Sequence, residues 1–124
     1  MKHTVEEALR KLLTRTNDDA FVIFSRLSGK GYVQFARDDQ GLFLDLPVIP
    51  LDDPQQMRAK QFFAEFGVSL DDTQLTAHDG SPAGSMQFYR VDFGQDVQRA
   101  AATALDVFRE VYALQDFEIE IEEN

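Results

Sequence analysis

The sequence predicts an α+β domain in the order α-β-β-β-α-β-β-α, an antiparallel sheet packed by helices. Three observations carry this. Residues 20–46 hold three strand-like runs, AFVIF, YVQFA and LFLDL, with only short turns between them. Apolar residues recur at helical spacing before this meander, after it and again near the end of the chain. The chain has 124 residues, 44% of them hydrophobic, and no cysteine, so one ordinary core must hold it without disulfides or thiolate metal sites.

The first helix starts with Thr4 as N-cap and Glu7 at capping-box spacing, and Val5, Ala8, Leu9, Leu12 and Leu13 form its apolar stripe. Asn17-Asp18-Asp19 ends it. Ala20–Phe24 is continuously apolar and reads as a strand covered on both faces. In the second strand Val33 and Phe35 oppose Tyr32, Gln34 and Ala36; in the third, Leu42, Leu44 and Leu46 oppose Phe43 and Asp45. The intervening Ser28-Gly29-Lys30-Gly31 and Asp38-Asp39-Gln40-Gly41 suit hairpin turns.

Pro47 and Pro50 end the meander. Asp53 is the expected cap of the second helix, with Pro54 at its first position and Gln56 completing a capping box. Ala59, Phe62, Phe63 and Phe66 form its stripe, and Gly67 stops it. After a connection over 68–72, Thr73–Ala77 reads as a fourth strand anchored by Leu75, and His78–Gly84 as an exposed loop. In the fifth strand, Met86–Phe93, Met86 and Phe88 compete with Tyr89, Val91 and Phe93 for the buried face. Val97, Ala101, Ala104, Leu105, Phe108, Val111 and Tyr112 define the last helix. The alternating FEIEIE that follows fits either a short edge strand or an acidic tail at 116–124. No linker or repeat divides the chain, so 1–124 reads as one domain.

Charge bounds the partners. Twenty-two acidic against twelve basic residues give −10, with Asp116, Glu118, Glu120, Glu122 and Glu123 crowding the end. Such a surface repels phosphate backbones and anionic lipid, which argues against nucleic acid and membrane as partners. The opening MKHTVEEALRKLL lacks the apolar segment of a secretory signal, and a cytoplasmic location is expected.

Catalytic chemistry finds no footing. His3 and His78 lie on different elements without metal-ligand spacing. The Asp-Asp pairs at 18-19, 38-39, 52-53 and 71-72 sit where turns or caps are expected. Ser28–Gly31 lacks phosphate-loop spacing, and the serines lack a nucleophile elbow. A non-enzymatic protein with no cofactor and no metal is expected. What remains is surface: Tyr32, Gln34, Phe43 and Asp45 share one sheet face, a mixed aromatic and polar patch of the kind that anchors interfaces, to which Phe88 or Tyr89 would add. For Tyr32 and Phe43 we favour the alternative that a helix or second subunit covers this face. Gln34 is left open.

The stretch FVIFSRLSGKGYVQFARDDQGLFLDLP resembles the opening of TY-Chap and YbjN-like domains, with YVQFA and LFLDLP closest, and EVYALQDFEIEIEE resembles their ending. The element order is similar to that of type III secretion chaperones, to whose superfamily these domains are assigned. The resemblance implies a small acidic protein-binding chaperone-like module, acting as a homodimer through a sheet face or the last helix. The motifs concern fold, so no catalytic residue follows from them. The alternatives from other classes are a small-molecule sensor with a pocket near Pro47–Pro54, and an immunity or regulatory subunit that neutralises a basic protein.

Overall fold

A computed structural model describes residues 1–17, 19–27 and 29–124. Asp18 and Ser28, assigned above to turns, lie outside the described residues. The elements are α1 (Lys2–Thr14), β1 (Phe21–Arg26), β2 (Tyr32–Asp38), β3 (Gly41–Pro47), α2 (Asp53–Ala64), β4 (Asp71–Thr76), β5 (Pro82–Gly94), α3 (Val97–Asp106) and β6 (Ile119–Glu123); α3 runs on into a π-helical turn, Val107–Val111. The fold is α+β. Its six strands form one antiparallel sheet in the order β4-β5-β3-β2-β1-β6.

The core lies on one face of this sheet. Along the strands the alternation buries Val22 and Phe24, Val33 and Phe35, Leu42, Leu44 and Leu46, and finally Tyr89, Val91 and Phe93. That resolves β5: the Tyr89 set faces inward. Every helix packs on the same side. α1 lies on β1, β2 and β3 and against α3; α3 lies on β3 and β5; α2 meets the π-helical turn and stacks Phe63 on Tyr89 with centroids 4.6 Å apart. All join one continuous hydrophobic cluster.

Several local expectations are corrected. α1 begins at Lys2 rather than after Thr4, because the Val5 N–H donates to the Met1 carbonyl and closes a further turn ahead of Thr4. The cap of α2 is Asp52, not Asp53: Asp52 accepts from the Gln55 N–H at 2.8 Å, and Gln55 accepts from the Asp52 N–H at 3.0 Å, which closes the capping box one residue early. Gly67, at φ +71°, follows the helix as expected. β1 is not covered on both faces, since Val22 and Phe24 are buried while Phe21 and Ile23 are only half-buried on a face without a helix. The ending is an edge strand, with β6 pairing antiparallel to β1.

The largest departure is at β4 and β5. β4 starts at Asp71, and Leu75 does not anchor it to the core: every residue of the strand is exposed. β5 begins at Pro82, inside the expected loop, and the turn contracts to residues 77–81, where the Ala77 N–H donates to the Ser81 carbonyl. β3 pairs with Phe88–Gly94 of β5, whereas β4 pairs with Pro82–Phe88. The outer half of β5 and β4 therefore run past the end of β3 as a two-stranded ribbon.

Candidate functional site

Because all helices sit on one side, the opposite sheet face is the candidate site. Strand register orders it into rows. The central row runs Glu122, Ile23, Gln34, Asp45, Arg90 across β6, β1, β2, β3 and β5. Beside it runs Phe21, Ala36, Phe43 and Asp92. On the other flank Ser25 faces Tyr32, and Pro47 faces Phe88. The strand residues at the centre of this face are half-buried. Neighbouring side chains shield them, and no helix stacks over them among the described residues.

The structure thus brings Tyr32, Gln34, Phe43 and Asp45 onto one surface. It does not bring Tyr89 there. Tyr89 is 5% exposed, lies on the helix side and stacks on Phe63, so it is a core residue. The period of two that places Tyr89 inward places Phe88 and Arg90 outward.

Arg90 organises one end of the face. Its guanidinium lies 3.9 Å from the Phe43 ring centroid, a cation–π distance. Nη2 is 2.8 Å from Asp38 Oδ2, and Nε donates to Asp92 Oδ1 at 3.0 Å. The bond from Arg90, with a backbone N–H from Gln40, holds the Asp38 carboxyl below the usual range. Asp45, directly across the ladder from Arg90, receives no such bond. Its Oδ1 is buried without a hydrogen-bond partner among the described residues, and burial pushes its carboxyl upward against the milder pull of Arg90. Tyr32 is pushed up by burial and then by the Asp45 charge.

A depression of about 520 Å³ at the sheet end is lined by Tyr32, Pro50, Asp52, Gln55 and Tyr112, close to the small-molecule pocket expected near Pro47–Pro54 in the alternative reading. Ser25 and Lys30 line it as well, but the Tyr32 backbone and the polar groups of Asp52, Gln55 and Tyr112 are already engaged with one another. Asp52 and Gln55 cap each other, while the Tyr112 hydroxyl donates to the Tyr32 carbonyl at 2.7 Å and accepts from the Tyr32 N–H at 3.1 Å. Among the described residues, no group of three or more His, Cys, Asp or Glu is placed to hold a metal ion, and no helix is long and apolar enough to cross a membrane.

Sequence reasoning did not place Arg90, Ile23, Glu120 or Glu122 on this face, and it named the two glutamates only as part of the acidic ending. Arg90 and Glu122 become legible once β5 has a facing and β6 a register. No family model, curated protein or solved structure matches the chain.

Proposed function

We propose that the chain is a non-enzymatic, chaperone-like protein-binding module of the cytoplasm that acts as a homodimer and takes a protein or peptide partner across its helix-free sheet face. One observation carries this reading. A six-stranded sheet has all its helices on one side, and the other side displays half-buried Phe21, Ile23, Tyr32, Phe43 and Phe88 with no helix stacked on them among the described residues. Aromatic side chains on a rigid sheet are suited to anchoring an interface, because they bury much area at low entropic cost.

The homodimer contact is assigned elsewhere. Apolar positions of α3, including Ala101, Ala104 and Leu105, are buried in the chain's own core, so that helix has no apolar stripe left for a second copy. The β4–β5 ribbon has the opposite character: Leu75 is 41% and Met86 39% exposed. A two-stranded ribbon is marginal in water by itself. Docking on a second copy would support it.

Affinity capture from the native cell, with the helix-side variant Glu65→Arg as control, tests the face. Gln34→Arg should lose the partner that wild type and Glu65→Arg retain. Retention by Gln34→Arg overturns the face assignment. A clean monomer by light scattering at micromolar concentration overturns the homodimer.

A further inference from the structure

We infer that the helix-free face recognises a cationic amphipathic protein segment, and that the Asp45 carboxylate at its centre receives a lysine or arginine side chain of that segment. The inference rests on the reading of this face as the protein-binding surface and names the chemistry of what it binds.

The argument begins with charge. By register, the carboxylates of Asp38, Asp45, Asp92, Glu120 and Glu122 belong to this face, set against the guanidinium of Arg90. Arg90 is already committed to Asp38 and Asp92 and lies over Phe43. It neutralises the end of the face and leaves the middle acidic.

Asp45 makes the middle specific. It lies between Gln34 and Arg90 in the central row, and one of its carboxylate oxygens is buried without a hydrogen-bond partner among the described residues. The residue as a whole is half-buried rather than enclosed, so its carboxylate can be met from the face, and a charge-assisted bond from an ammonium or guanidinium group is among the strongest open to it. The surrounding residues are Ile23, Tyr32, Phe43 and Phe88. A suitable occupant therefore combines apolar side chains with a cation directed at Asp45 and further cations toward Glu120 and Glu122.

This composition selects among occupants. A second copy laid face to face would bring two acidic surfaces together, and like-charge juxtaposition opposes that pairing. Nucleic acid and anionic lipid are repelled for the same reason. A basic, apolar protein segment meets both features at once.

The test uses an amphipathic peptide of leucine and lysine, with analogues in which every lysine is replaced by glutamine or by glutamate. Binding is followed by fluorescence anisotropy and by amide shifts in wild-type protein. The lysine peptide should bind and shift the signals of Ile23, Gln34 and Asp45, with affinity falling as salt rises. Asp45→Asn should weaken the lysine peptide about tenfold, the loss expected for one hydrogen bond to a charged group, and leave the glutamine peptide unchanged. Glu65→Gln, which removes a charge from the helix side, should change neither. Equal binding of the lysine and glutamine peptides at the face overturns the cationic requirement while the protein-binding reading stands. Equal losses in Asp45→Asn and Glu65→Gln reduce the effect to diffuse net charge and overturn the role of Asp45. Absence of shifts on the face with every peptide overturns both readings, and that measurement needs no variant to fold.

Discussion

Tyr112 joins the end of the helical layer to the start of β2 through a single hydroxyl that both donates to and accepts from the Tyr32 backbone. Burial pushes this phenol up to about 12, so the hydroxyl keeps its proton across the working range. Tyr112→Phe leaves a carbonyl and an N–H without their bond, and should cost about 1–3 kcal/mol in urea unfolding. Gly41 is a second sensitive residue. At φ +110°, a Cβ there would lie 2.5 Å from the Gly94 carbonyl oxygen, whereas one at Gly67, also at positive φ, would meet open space. Gly41→Ala should therefore lower the thermal midpoint well beyond Gly67→Ala, overpacking adding about 1–3 kcal/mol to the shared backbone strain. Asp45 behaves in the opposite sense. Its carboxyl is raised above the ordinary 3.8 in the fold, so the native state holds its proton to higher pH than the unfolded chain. The destabilisation is complete above the raised value and vanishes below the ordinary one. Asp45→Asn should accordingly melt higher than wild type at neutral pH, with the gap closing as pH falls through that window. These roles were only partly legible in the sequence. Alternation alone put Asp45 beside Gln34, but Met86 and Phe88 balanced Tyr89, Val91 and Phe93, so Arg90 had no facing until the helices chose a side.

Elements with one strong period were readable in their extent, whereas a strand stabilised by pairing alone was readable as a strand but not in its bounds or its burial. α1 and α3 show their stripes plainly, and the cap expected for α1 was misplaced only by the starting turn. β4 lacks any such stripe: Asp71, Asp72, Thr73 and Gln74 form a strand only because β5 offers a ladder, with Asp72 opposite Gln87 and Thr73 opposite Met86. β5 is longer than its residues suggest, because Pro82 and Gly84 are turn residues by habit, yet Pro82 stands at the strand's first position, where a missing N–H is tolerated. The ribbon consequently has hydrogen bonds but no core beneath it. Local stability follows buried apolar contact, so its amides at 72–76 and 83–86 should exchange fast in dilute protein while those of 33–35 and 42–46 stay protected. In the homodimer proposed above, the ribbon amides should slow as protein concentration rises. Leu75→Ala, which removes an exposed side chain, should change stability by less than about 0.5 kcal/mol.

At the scale of the whole molecule, the order of elements was visible in the sequence but the one-sided stacking was not. Ala20–Phe24 reads as a strand buried on both faces, and nothing in its residues says that Phe21 and Ile23 belong to a face without a helix. That asymmetry divides the surface into unlike regions, an acidic apolar sheet face and a projecting ribbon with exposed Leu75 and Met86. The two should respond differently to salt. A dimer built on opposed acidic faces would tighten as salt screens their repulsion, because surface charges are largely masked beyond about 10 Å at 0.1 M ionic strength. A dimer built on the ribbon buries apolar side chains and should change little over the same range. We expect the second behaviour: a mass by light scattering that is steady in moderate salt, unaffected by Asp45→Asn and reduced to that of one chain by Leu75→Asp. Leu75 lies outside the core, so the variant should keep the wild-type circular dichroism, and loss of the dimer would then report the contact itself. A dimer that survives Leu75→Asp and strengthens with salt would move the contact onto the sheet face and leave the acidic surface no room for a partner.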